Sequence, residues 1–152
     1  MILNKIKFMI NVYGEKLTKC SKDGMAVTGY SRSGLCEDSL GDTGSHHICL
    51  DISKIGNGGE TFCTLTEQPN WCVKPSTNCE SPSQHQCNRK NWCVCQWAFS
   101  DVLSKTACEN LHVDCDATSL SALRAYRQNP GKYGTALECL QHHCSYKPLA
   151  YT

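Results

Sequence analysis

Apolar residues recur at helical spacing only in the second half of the chain. From Asn91 onward, Val94, Cys95, Ala98, Phe99, Val102 and Leu103 share one stripe at i, i+4, i+8 spacing, which predicts an amphipathic helix running from Asn91. Ser119 suits an N-cap for a second helix that turns Leu120, Leu123 and Tyr126 inward. Asn129-Pro130-Gly131 ends that helix. Thr135 and Glu138 then have the spacing of a capping box for a last helix, with Tyr133, Ala136, Leu137, Leu140 and Cys144 facing the core. Residues 113–117 are short enough to be a strand.

The first half reads differently. Turn signals crowd residues 11–50, at Tyr13-Gly14, Asp23-Gly24, Thr28-Gly29 and Ser33-Gly34, and Ile48-Cys49-Leu50-Asp51-Ile52 alternates like a strand. Residues 56–59 (Gly-Asn-Gly-Gly) mark a loop. Residues 68–90 carry Pro69, Pro75 and Pro82 and no apolar period. A loop that long is uncommon in a compact domain unless something ties it down. The expected fold class is α+β: a small single domain with a few short strands in its N-terminal half, about three helices in its C-terminal half, and disulfide staples. The domain is expected over 11–146, with 1–10 an N-terminal extension and 147–152 a tail.

Composition supplies the staples. Thirteen of 152 residues are cysteine, inside the range that flags a disulfide scaffold. That points to an oxidising environment, whether secretory or extracellular, the intermembrane space or a virus particle. Lys5 and Lys7 interrupt the apolar residues of 1–10, so no signal peptide is visible in this chain. A net charge of +1 and a pI near 7.5 lack the basic footprint of a nucleic-acid binder. No apolar run approaches the roughly 18 residues of a membrane span.

Candidate chemistry is sparse. Cys93-Val94-Cys95 could ligate a metal or act in thiol redox, but C-x-C lacks the C-x-x-C spacing of zinc knuckles. His46-His47-Ile48-Cys49 offers imidazole and thiolate, and His142-His143-Cys144 echoes it. Zinc is therefore the alternative to no cofactor at all, with His46, Cys49, Cys93 and Cys95 as its weak candidate ligands. A Cys–His nucleophile pair has no sequence feature to choose its cysteine, and an enzyme is the minority reading. Trp71, Trp92 and Trp97 sit among cysteines, where packing against disulfides is the ordinary role. The leading reading is a structural or protein-interaction role, with another protein or a larger assembly as partner.

The motifs Asn11-Val12-Tyr13-Gly14, the run Thr28 to Cys36, Asp42-Thr43-Gly44-Ser45-His46-His47-Ile48-Cys49, Trp92-Cys93-Val94-Cys95 and Val113 to Thr118 resemble an uncharacterised family, domain of unknown function 2237. The resemblance implies a fold and no activity. The sequence departs from the family pattern at Ser33, Leu35, Phe99 and Ser119, and residues 56–90 replace its Pro-rich middle. Cys20, Cys36, Cys49, Cys93 and Cys95 match the family. The other eight, Cys63, Cys72, Cys79, Cys87, Cys108, Cys115, Cys139 and Cys144, look like additions that pair among themselves as disulfides. Cys139 and Cys144 lie about 7.5 Å apart along a helix, too far for a mutual bond, so each should reach back toward Cys108 or Cys115. Thirteen is odd, so at least one sulfur stays outside any intramolecular bridge, and it is expected among the five family cysteines.

Overall fold

The computed structural model describes residues 9–53, 55 and 58–145. Most of the expected N-terminal extension, the tail at 147–152 and Gly56-Asn57 of the glycine-rich loop lie outside the described residues.

Two four-residue strands, β1 (Ile48–Asp51) and β2 (Asn91–Val94), pair antiparallel with Ile48 opposite Val94 and Cys49 opposite Cys93. Period-2 alternation sends successive side chains to opposite faces, and here both faces are covered. Ile48, Leu50 and Val94 enter the main core, whereas Cys49 and Cys93 enter a second, smaller cluster with Cys20, Cys36 and Ala117.

Four helices follow the α+β expectation. A single turn, α1 (Phe62–Leu65), is closed by a capping box between Thr61 and Thr64. The helix α2 (Gln96–Val102) buries Phe99 and Val102. Next comes α3 (Leu120–Gln128), with the Ser119 side chain accepting from the Ser121 N–H, as an N-cap should. The last helix is α4 (Pro130–Cys144). The Tyr126 hydroxyl donates to the Gln96 carbonyl at 2.5 Å, tying α3 to the first turn of α2. Burial first, then neighbouring Cys95, Tyr133 and Asp101, push that hydroxyl's pKa far above its ordinary value, so it remains a donor.

Three local expectations need correction. The apolar stripe from Asn91 is two elements: strand through Val94, helix only from Gln96. Both periods put Val94 inward, so the stripe hid the boundary. Residues 113–117 make one bridge, Val113 to Leu50, and then a 3-10 turn (Cys115–Ala117). The last helix begins at Pro130, not after Thr135. Asn129 ends α3 and its side chain accepts from Lys132 N–H, while Pro130 occupies the first turn, where its missing N–H costs nothing. Tyr133 leaves helical geometry (φ −114°, ψ 17°), which sets the first turn off from the rest of α4.

Six disulfides lock this frame. Cys20–Cys49 and Cys36–Cys93 fasten the early turns to the two strands. Cys63–Cys72 and Cys79–Cys87 close short loops. Cys108–Cys139 and Cys115–Cys144 pin α4 to the chain before α3. Such a set is consistent with an oxidising environment. Cys95 is the free cysteine, half-buried at the start of α2.

Candidate functional site

The densest grouping of recognition chemistry is built on β2. Two guanidiniums lie over the ring of Trp92, Arg32 at 5.1 Å and Arg89 at 5.6 Å from the ring centroid. Trp71 tilts against the same ring at 5.7 Å. Each arginine is held by backbone carbonyls. Arg32 donates to the Gly29 carbonyl through both its backbone N–H (3.0 Å) and its guanidinium (2.7 Å). Arg89 donates to the Lys74 and Pro75 carbonyls. Among the described residues neither guanidinium meets a carboxylate. Two positive charges therefore rest on aromatic faces, a favourable arrangement, with charge left over for something outside the chain.

The turn carrying Arg32 is conformationally demanding. Gly29 has φ +98°, and a Cβ there would come within 2.7 Å of the Leu35 carbonyl oxygen. Arg32 itself has φ +59°, a left-handed conformation uncommon for a side-chain-bearing residue. Ser45, at φ +50°, is another of the three such non-glycine residues among those described. Arg32 lines the Trp92 surface and Ser45 immediately precedes His46, which lines it too, and backbone strain of this kind gathers at functional sites.

Beside the platform, His46 stacks on Tyr30, with ring centroids 6.2 Å apart. Asp42 holds His46 from two directions: Oδ2 accepts the His46 backbone N–H at 2.9 Å and Oδ1 meets the imidazole Nδ1 at 2.6 Å. Burial raises the Asp42 carboxyl pKa, but these hydrogen bonds and the neighbouring imidazoles outweigh it and hold the pKa below the usual carboxylate range. An ionised Asp42 fixes the ring with Nδ1–H toward it and Nε2 turned away. Two open depressions of about 260 and 300 Å³ adjoin here, sharing Arg32 and Trp92. The second also touches Gly29, Tyr30, His46 and Cys93.

The four residues singled out for zinc do not assemble. Cys49 and Cys93 are consumed by disulfides to Cys20 and Cys36. His46 serves the Arg32–Trp92 surface, and Cys95 stands apart at the start of α2. His47, just ahead of β1, has partners other than those of His46. It is buried, with Nε2 2.6 Å from Asp38 Oδ1 and Nδ1 2.8 Å from Gln96 Oε1. In the last turn of α4, His143 meets the Cys108 carbonyl at 2.9 Å. The residues that sequence reasoning missed are Arg32, Arg89, Tyr30 and Asp42. Arg32 and Trp92 are sixty residues apart, so no local spacing could join them; the turn signals at Thr28-Gly29 and Ser33-Gly34 are the local trace of the Arg32 turn.

No curated protein matches the chain. A family profile described as "Uncharacterized protein conserved in bacteria (DUF2237)" matches residues 10–129, a span that takes in both strands, α1 to α3 and every residue of the Trp92 surface, and the chain belongs to that family.

Proposed function

We propose that this chain is a disulfide-stapled interaction module that binds an acidic segment of another protein on its Trp92 face. The carrying observation is the pair of guanidiniums over one tryptophan, neither neutralised by a carboxylate among the described residues. Arginine, tryptophan and tyrosine are the residue types that dominate binding hot spots. A guanidinium offers a planar fork that matches a carboxylate in two hydrogen bonds. Rigidity adds to the effect: the Arg32 turn is stapled through Cys36 to Cys93 on β2, so little ordering remains to be done on binding. His46, held by Asp42, would add a hydrogen bond at the edge of the same face. A neighbouring subunit presenting carboxylates would seat the chain in a larger assembly by the same contacts.

The test is a titration with a glutamate-rich peptide and its glutamine counterpart, read from the Trp71 and Trp92 indole signals by NMR. The glutamate peptide should shift both indoles and lose affinity with salt. The Arg32→Gln/Arg89→Gln double variant should weaken binding by about tenfold or more, since hydrogen bonds to charged groups contribute roughly 1.5–3 kcal/mol. Equal binding by the variant, or tighter binding of a single-stranded oligonucleotide than of the peptide, sinks the reading.

A further inference from the structure

We propose that the four sulfurs of the second core, Cys20, Cys36, Cys49 and Cys93, form a tetrahedral thiolate zinc site when the chain is reduced. All four residues are buried, at 0%, 0%, 0% and 2% exposure. The Sγ atoms of Cys20, Cys36 and Cys93 lie within 4.8 Å of one another, and that of Cys49 is bonded to Cys20. Zinc–sulfur bonds of about 2.3 Å in a tetrahedron set sulfur–sulfur edges of about 3.8 Å. Cys20, Cys36 and Cys93 need shifts on the order of an ångström. Cys49, which falls outside that 4.8 Å group, turns about its own side-chain bonds to join them once its bridge to Cys20 opens.

The backbone holding them does not depend on the bridges alone. Cys49 and Cys93 are directly opposed across the β1–β2 pair. Their N–H groups point away from each other, to the hydroxyls of Thr118 (3.1 Å) and Thr28 (2.9 Å), both fully buried. This is the non-hydrogen-bonded kind of antiparallel pair, in which side chains stand closest. Cys20 is placed by its N–H bond to the Gly34 carbonyl at 2.8 Å. The four ligands come from four separate segments with no C-x-x-C spacing, which is why the sequence alone offers Cys49 and Cys93 but not Cys20 and Cys36.

The conversion balances with a phosphine as reductant. Each disulfide, one phosphine and one water give two thiols and one phosphine oxide; the S–S bond breaks, sulfur is reduced and phosphorus oxidised. Four thiols then bind one Zn²⁺ and release four protons, as metal binding by thiols requires.

The experiment reduces the full chain with phosphine and adds zinc or, as a spectroscopic stand-in, cobalt. One equivalent should bind tightly with the intense visible bands of tetrahedral cobalt thiolate, and zinc X-ray absorption should report four sulfurs. Alkylation of the zinc-loaded wild type should spare Cys20, Cys36, Cys49 and Cys93 while labelling the other nine. The Cys36→Ser/Cys93→Ser variant should lose the tetrathiolate bands. Cys108→Ser/Cys139→Ser should keep them, which separates this site from the cluster of buried Cys139 with half-buried Cys108 and His143. No stoichiometric binding, a mixed nitrogen–sulfur shell, or protection of Cys108 and Cys139 in place of the core four overturns the proposal. The alkylation arm needs only wild-type protein, so a variant that fails to fold leaves the proposal decidable.

Discussion

Residues 66–90 and the helical pair α3–α4 are each tied by two disulfides, yet the bonds do different work in the two regions. In the helices, Ala122, Leu123, Tyr126, Ala136 and Leu140 are buried, so apolar area leaving water drives the packing. Cys108–Cys139 and Cys115–Cys144 then fasten elements that already have a reason to be there. Between 66 and 90 the only buried residues are Cys72 and Cys87. The closures themselves, over sequence separations of 9 and 8 residues, carry most of the offset to the entropy of ordering this stretch, with the Trp71–Trp92 contact and a few backbone hydrogen bonds adding the rest. Cysteine substitutes for a core where three prolines and a polar run preclude one.

The largest effect that could break this contrast is in the helices. Leu140→Ala, at a fully buried site, should cost about 2–5 kcal/mol of global stability in urea unfolding under oxidising conditions. Val73→Ala, on the exposed side of the stapled segment (61% exposed), should stay within about 0.5 kcal/mol. Comparable losses at the two sites would mean that residues 66–90 carry packing energy the structure does not show.

Next in size is the staple itself. Cys79→Ser/Cys87→Ser should cost about 2–3 kcal/mol through the unfolded chain, and limited proteolysis should then cut between Trp71 and Lys90 before anywhere else. The two flanking bridges, Ser76 with Cys87 and Ala26 with Cys79, would lose their anchor. Cleavage first in α3 or α4 would reverse the assignment of roles.

The same contrast decides how much the sequence disclosed. Where burial does the work, periodicity reports it: β1 is legible in Ile48-Cys49-Leu50-Asp51, and α3 in Ser119 followed by Leu123 and Tyr126. Where one period runs into another, the boundary is lost, as at Val94 to Gln96. Capping signals compete too, and Asn129 with Pro130 outweighs Thr135 with Glu138 because proline fixes the first-turn geometry. The Trp92 surface was the least legible part. Arg32 reaches Trp92 from a turn placed by Cys36–Cys93 and by its own left-handed backbone, whereas Arg89 lies three residues before Trp92, and neither the pairing nor the sign of φ is written in local spacing.

The smallest effect concerns a charged tie between the stapled segment and the early turns. Glu80 accepts from Lys19 Nζ and, at 2.6 Å, from the Ser21 hydroxyl, over Gly34, where a Cβ would fall 2.8 Å from Glu80 Oε1. Burial raises the Glu80 carboxyl pKa, but the two hydrogen bonds and the lysine charge outweigh it and leave the pKa lowered. A depressed carboxylate stabilises the fold above its unfolded pKa, near 4.3, and loses that contribution as pH falls through the folded value. Lys19 is half exposed, so solvent screening keeps the tie under about 1 kcal/mol. Wild type should therefore exceed Glu80→Gln slightly in stability at pH 6, and the two curves should converge below about pH 4. A gap that persists in acid would mean that Glu80 acts by packing over Gly34, and the stapled segment would then hold more than closure entropy.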